Sequence, residues 1–296
     1  MKTFLLAWWE KVCVVVGQVH RRVVMVTRTA AFSRSLTFPR ALAAWTFAAA
    51  TVLCQILYSV TDPGERTPLT ILTVVCFASA SLADAWARAG VRTVVTLVVV
   101  AGGGGLLAEI TGLHTGFPFG HYQYTDLLGW SVAGVPVLIP LAWLMMAWPA
   151  LLVGRALAER PAGVVVVAAC ALASWDVFLD PQMVDEGYWT WVSPEPSLPG
   201  VVGIPLTNFL GWLLVAAIIQ AVLHLLSPRA EDPVPSLATG PAPVMYLWTW
   251  FSSIWAHLAF FGRPWVALVG GLTMGALAVP FTVRIVRGWL WSHSAA

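Results

Sequence analysis

Thr115-Gly-Phe-Pro-Phe-Gly-His-Tyr-Gln-Tyr-Thr-Asp126 joins two strongly apolar segments, 91–110 and 132–153. It gathers two glycines, a proline, four aromatic rings, a histidine and a carboxylate, with no Lys or Arg. A connector between membrane helices needs only polarity and flexibility. This one is stiff, ring-rich and chemically equipped, so the apolar segments around it read as its support. Crossing a bilayer takes about 20 apolar residues. Outward from this loop such stretches recur at 42–60, 69–87, 91–110, 132–153, 163–180, 204–226, 245–261 and 265–283. The chain is 59% hydrophobic and 10% charged, with mean hydropathy +0.80, where a soluble domain carries about 25% charged residues. The expected fold class is therefore all-α, a polytopic transmembrane helix bundle of about eight spans. The fifth and seventh stretches are short, and the last two suit a tight hairpin, so seven spans stay open as the alternative.

Basic residues orient such a bundle. Of the sixteen Lys and Arg residues, only Arg66 and Arg263 fall on one side; the rest alternate to the other. The N-terminus is then inside, and the ring-rich loops 111–131 and 181–203, which hold no basic residue, face outward from a cytoplasmic membrane. Residues 1–40 carry seven of the basic residues and one acid. They read as a basic amphipathic arm on the inner leaflet, joined to a single bundle over 41–296 with a Pro-rich linker at 227–243. The first apolar stretch is broken by Glu10 and Lys11 and has no small-residue cleavage site, so no cleavable signal peptide is expected. Cys13, Cys54, Cys76 and Cys170 show no CxxC spacing and read as small buried residues.

A weak repeat runs through the middle. Gly134-Val-Pro-Val-Leu-Ile-Pro-Leu-Ala-Trp-Leu144 aligns without gaps to Gly203-Ile-Pro-Leu-Thr-Asn-Phe-Leu-Gly-Trp-Leu213. Each copy follows an aromatic loop, and each loop follows a span ending in a carboxylate. This suggests a parallel pseudo-repeat of spans three–four and five–six, with chance similarity of apolar helices as the alternative.

Ionisable groups inside spans are costly and point to function. Asp84 has Arg88 one turn away, so a helix ion pair explains it. Glu109 follows Gly102–Gly105, which permit close backbone approach by a helix or a flat ligand. Asp176 and Asp180 share a helix face, although Pro181 disfavours helical geometry at Asp180. Two like charges this close in low dielectric do not both ionise cheaply, so one carboxyl should remain a neutral proton donor. His114, His121, Tyr122, Tyr124 and Asp126 lie in the first loop, Tyr188, Trp189 and Trp191 in the second, and Asn208 one turn inside span six. An interfacial aromatic belt accounts for some of these rings, but not for their company with acids. Histidine boxes and nucleotide motifs are absent, and neither motif loop holds a basic residue to grip a diphosphate. That argues against oxygenation, against nucleotide or nucleic-acid partners, and against Mg-dependent prenyl transfer despite the DxxxD spacing. What remains is metal-free, cofactor-free acid–base chemistry, or binding, on a neutral apolar molecule.

Glu109-Ile-x-Gly, the loop 115–126 and Gly134-Val-Pro-x-x-Ile-Pro-Leu-Ala-Trp143 resemble the carotenoid biosynthesis family of integral-membrane carotenoid hydratases, with its γ-carotene hydroxylase and bisanhydrobacterioruberin hydratase types. Trp175-Asp-x-Phe-Leu-Asp-Pro-Gln-Met183, Gly187-Tyr-Trp189 and Gly203-Ile-Pro-x-x-Asn-Phe-x-Gly-Trp212 fit the same pattern, and the likeness is close over about 100–215. The resemblance implies water addition across a terminal isopropylidene double bond of an acyclic or monocyclic carotenoid, giving a tertiary alcohol without a redox cofactor. The residues suit that chemistry. Asp176 or Asp180 supplies the proton, and Glu109 or His121 activates the water. Phe117, Phe119, Tyr122, Tyr124, Asp126, Trp143, Trp175, Tyr188, Trp189, Asn208 and Trp212 form the substrate-binding surround, their rings able to stabilise a cation. The expected partners are the carotenoid, membrane lipid and other membrane enzymes of the same pathway. A non-catalytic carotenoid- or lipid-binding scaffold is the rival; it would use the rings but not the acids. A proton-coupled transporter would want acids near the midplane with access from both sides.

The orientation has a direct check. With native cysteines removed, Gln123→Cys should react with an impermeant thiol reagent added to intact cells; labelling only after permeabilisation would contradict it.

Overall fold

The computed structural model describes residues 40–228 and 240–294, with side chains as far as 288. The expected basic arm before Arg40 and the linker residues 229–239 lie outside the described residues. All eight apolar stretches are helical. They form α1 (Arg40–Val60), α2 (Thr67–Ala89), α3 (Val91–Leu97) running through a π-helical Val98–Gly103 into α4 (Gly104–Thr115), α5 (Leu138–Leu157), α6 (Pro161–Asp185), α7 (Leu206–Leu226), α8 (Ala242–Ala259) and α9 (Pro264–Ser294). Among the described residues, seven of these rods are long and apolar enough to cross a membrane. The other is α8, which carries Thr249, Ser252, Ser253 and His257 and packs in a hairpin with α9.

Helices are the form these residues must take in hydrocarbon, because each backbone polar group has to be satisfied within its own segment. Hydroxyls inside the spans follow the same rule. Thr51, Thr111 and Thr282 each donate to the carbonyl four residues earlier. Large apolar side chains such as Val99, Leu107 and Leu272 remain on the outside. α5 is the central helix, 83% buried over its spanning window, with Trp143, Met146, Trp148 and Leu151 enclosed.

Two boundaries differ from the sequence reading. The predicted span 132–153 becomes helical only at Leu138, because Ser131–Val132 (β2) and Val135–Pro136 (β3) form a tight hairpin first. Pro181 does not end α6: the helix continues to Asp185, so Asp180 is helical. Pro181 has no N–H to give to the Val177 carbonyl, and in the same turn His257 Nε2 of α8 donates to the Phe178 carbonyl at 3.2 Å.

The loop after α4 carries Tyr122–Tyr124 (β1), and the loop after α6 carries Trp189–Trp191 (β4). These pair antiparallel, Tyr122 opposite Trp191 and Tyr124 opposite Trp189. Ser197–Leu198 (β5) and Val201–Pro205 (β6) then form a second hairpin leading into α7. The two repeat copies thus share one plan, in which a helix, an aromatic strand and a hairpin lead to a helix entering after proline. Their equivalent tryptophans, Trp143 and Trp212, stack face to face with centroids 3.9 Å apart and planes 14° from parallel.

Ion pairs tie both ends. At the loop end, Arg66 pairs with Glu186 at 2.7 Å and Arg263 with Asp185. At the other end, buried Asp84 accepts from Arg88 Nε at 2.6 Å, Trp148 Nε1 at 2.8 Å and the Ala242 amide at 3.0 Å. The helix ion pair read from the sequence is therefore formed, and it also fixes the start of α8.

The α5–α6 hairpin is closed by Gly154. A Cβ there would lie 2.5 Å from the Val164 carbonyl oxygen and 2.8 Å from Ala168 Cβ. Gly154→Ala should therefore destabilise the protein by about 1–3 kcal/mol, read as a lower melting temperature in detergent.

Candidate active site

The loop 116–124 exposes Phe117, His121 and Gln123 but tucks Phe119 and Tyr122 back into the bundle. Gly112 and Gly211 make the room. A Cβ on Gly112 would meet the Phe119 ring at 2.6 Å, and one on Gly211 would meet the Pro118 carbonyl oxygen at 2.7 Å. Phe119 is buried between them, its carbonyl accepting Trp191 Nε1 at 3.0 Å. Gly105 does the same for Trp143, whose Cγ would lie 2.7 Å from an added Cβ. Of the glycines 102–105, Gly105 thus serves close packing by a tryptophan.

These placements converge on Glu109, 4% exposed. Its Oε2 accepts the Tyr122 hydroxyl at 2.6 Å and the Tyr124 hydroxyl at 2.8 Å, and its Oε1 accepts Trp143 Nε1 at 2.9 Å. Burial first, and the Glu109 carboxylate next, push both phenols above the ordinary tyrosine range, so they stay protonated and donate.

The second acidic group sits on α6. Asp176 and Asp180 are fully enclosed, and both accept from the single Asn208 amide, Asp176 Oδ2 at 2.8 Å and Asp180 through Oδ2. Asp180 Oδ1 also accepts Trp189 Nε1 at 3.1 Å. Among the described residues, no donor reaches the buried Asp176 Oδ1.

Glu109, Asp180 and Asn208 line one cavity of about 50 Å³, walled by Phe119, Tyr122, Tyr124, Trp143, Trp189 and Trp212. No cationic side chain lines it among the described residues. Nor, among these residues, are three His, Cys, Asp or Glu side chains gathered closely enough to hold a metal ion. An enclosed space with carboxyl groups on two walls and ring faces on the others can pass protons to and from an apolar guest while shielding positive charge.

Other predicted site residues stand apart. His121 is exposed, its ring packed over Gly116. Phe117 is 63% exposed, and Asp126 is exposed at the start of a single 3-10 turn. Tyr188 is buried, but its hydroxyl bonds Thr70 and Thr67 of α2. Trp175 backs the site, edge-on to Trp212 at 6.0 Å. Sequence reasoning placed Trp191 in the second ring-rich loop without counting it among the site residues, and did not single out the apolar wall formed by Val74, Met145, Leu179 and Met183. Trp191 stands two residues after Trp189, so strand alternation places both rings on one face. The apolar wall has no signal, because its residues look like any others in a span.

A profile of the carotenoid biosynthesis protein family matches residues 67–280. The chain belongs to this family. Within the family it is similar to a bisanhydrobacterioruberin hydratase of Haloarcula japonica, 33% identical over 115 residues. That alignment covers 37% of this chain and 38% of the relative's length. No solved structure matches the chain.

Removing one donor from a buried carboxylate leaves part of its charge unanswered. Tyr122→Phe and Tyr124→Phe should each lower stability by about 1–3 kcal/mol, measured by thermal or denaturant unfolding in detergent.

Proposed function

We propose that this member of the family is a carotenoid hydratase that adds water to a terminal isopropylidene double bond, giving a tertiary alcohol. The observation that carries this reading is the cation-free cavity into which Asp180 and Glu109 both open among aromatic rings. The relative's name, bisanhydrobacterioruberin hydratase, points the same way.

Two carboxyl groups sharing one amide, with no cation beside them, are not both charged. The pair holds a proton, and Asp180 is the member that lines the cavity. It gives that proton to the less substituted alkene carbon. The π bond breaks, a C–H bond forms, and the positive charge falls on the tertiary carbon. Tryptophan and tyrosine faces stabilise the cation. A water oxygen then bonds to the cationic carbon, and the proton it sheds moves through the Tyr122 or Tyr124 hydroxyl towards Glu109. Returning a proton to the aspartate pair completes the cycle, with no net change in the protein and no redox step. Asp176 acts behind Asp180, holding it through Asn208. His121 stands away from this path in the described conformation.

The aromatic loops would face the outside, where water is at hand, while the polyene stays in hydrocarbon. A binding scaffold would need the rings but would not need carboxyl groups on two walls.

Product formed in H₂¹⁸O should carry ¹⁸O, and formation should persist without O₂; label arriving from ¹⁸O₂ would defeat the reading. General acid–base groups contribute about 10²–10⁴-fold. Asp180→Asn and Glu109→Gln should therefore cut hydration by that order while leaving protein level and pigment retention near normal. Undiminished turnover in Asp180→Asn and Asp176→Asn would move the proton donor elsewhere.

A further inference from the structure

Beside the carboxyl site lies a larger cavity of about 470 Å³, bounded by α1, α2, α6 and α8. Small-molecule pockets run to about 300–1,000 Å³. Thr70, Val74, Met145, Leu179 and Met183 line both cavities, so one layer of side chains separates them. On the far side the rim consists of Ile56 and Val60 of α1 and Phe251 and Trp255 of α8. These are 51%, 68%, 58% and 58% exposed, which makes this the lipid-facing side of the bundle. A hydrogen bond from Trp248 Nε1 to Gln55 Oε1, 2.6 Å, ties α8 to α1 within the cavity wall. The interior presents flat rings: Phe77, Trp175, Phe178 and Trp248.

We propose that this cavity holds the rigid hydrocarbon body of a conjugated polyene. The polyene enters from lipid between α1 and α8 and passes its terminal alkene through the methionine layer to Asp180. This rests on the hydratase reading for its reaction, but not for its binding.

Three physical points carry it. The carboxyl cavity, about 50 Å³, is far smaller than the about 300–1,000 Å³ of ordinary small-molecule pockets. A long substrate reaching Asp180, 2% exposed, must keep its length in an adjoining chamber, and this chamber shares the wall. Met145 and Met183 stand in that wall, and unbranched thioether chains change shape without moving a helix. Finally, a saturated lipid chain finds no hydrophobic gain on leaving the bilayer. A flat polyene gains stacking on the rings, so the occupant is the polyene.

The test uses the full chain produced in a host making lycopene. Pigment per protein is read by absorbance after purification in detergent, and hydrated product by mass. Thr73→Phe and Ser252→Phe each fill the cavity, with Thr73→Ser and Ser252→Ala as shape-sparing partners and melting temperature as the check on folding. A phenyl ring occupying this space excludes the polyene from it, so each filled variant should lose about tenfold or more of its pigment, and the small variants should keep theirs. Independently, Ser253→Cys in a chain free of native cysteines should react with a permeant maleimide more slowly in pigmented than in unpigmented membranes.

A wild-type protein that purifies colourless, or filled variants that fold and keep full pigment, overturns the proposal. So does equal protection of Ser253→Cys in membranes without carotenoid, the mark of a lipid chain in the cavity. Pigment lost on filling, from a wild type that forms no hydrated product, leaves the polyene site standing and defeats the hydratase reading alone.

Discussion

Glu109 is a buried carboxylate with no cation lining its cavity among the described residues, and the rest of the site is arranged to answer it. Taking a carboxylate out of water costs several kcal/mol, and neutral donors must offset that cost. Trp143 comes from α5, whereas Tyr122 and Tyr124 come from a loop. The loop therefore has to turn back into the bundle, and that requires Gly112, Gly211 and buried Phe119. Once Tyr122–Tyr124 is held, its edge pairs with Trp189–Trp191. That pairing carries the Trp189 indole to Asp180. One electrostatic requirement on α4 is thereby transmitted, through a two-stranded ribbon, to the acids of α6.

The two acidic groups face opposite conditions. Three donors converge on Glu109, whereas Asp176 and Asp180 share the Asn208 amide, Asp180 also takes Trp189 Nε1, and among the described residues Asp176 Oδ1 has no donor. Donors favour the charged carboxylate; scarcity of donors and a like neighbour favour the protonated one. Under the proposed function, Glu109 and Asp180 would take the two roles, base and acid, that acid–base chemistry requires.

Much of this was legible in the sequence. Span length, the ring-rich loops, the acids and the Asp84–Arg88 pair follow from hydropathy and spacing, because bilayer thickness and helix period leave few alternatives. The equivalence of Trp143 and Trp212 was visible in the repeat, and they prove to be stacked partners. Other features depend on contacts between distant segments. The pairing of the two loops could not be read from either loop, and without it His121 looked as well placed as Tyr122. The helical state of Asp180 runs against the local preference before proline, in a turn that α8 contacts through His257 on the Phe178 carbonyl. The larger cavity has no signature at all, since empty space between helices leaves no residue to read.

The ribbon of β1 and β4 joins segments more than sixty residues apart in the chain. A ribosome delivers Glu109 and its tyrosines to the membrane first, while Asp180, Trp189 and Asn208 are still to be made. Chains fold from the N-terminus during synthesis, at about 5–20 residues per second, so for several seconds Glu109 has its own donors and no counterpart. The acids of α6 then arrive before Asn208, the amide they share. Completion of the site is thus a late event in biogenesis, governed by insertion of α7, and a chain truncated before that helix would hold every carboxyl group yet have no assembled centre.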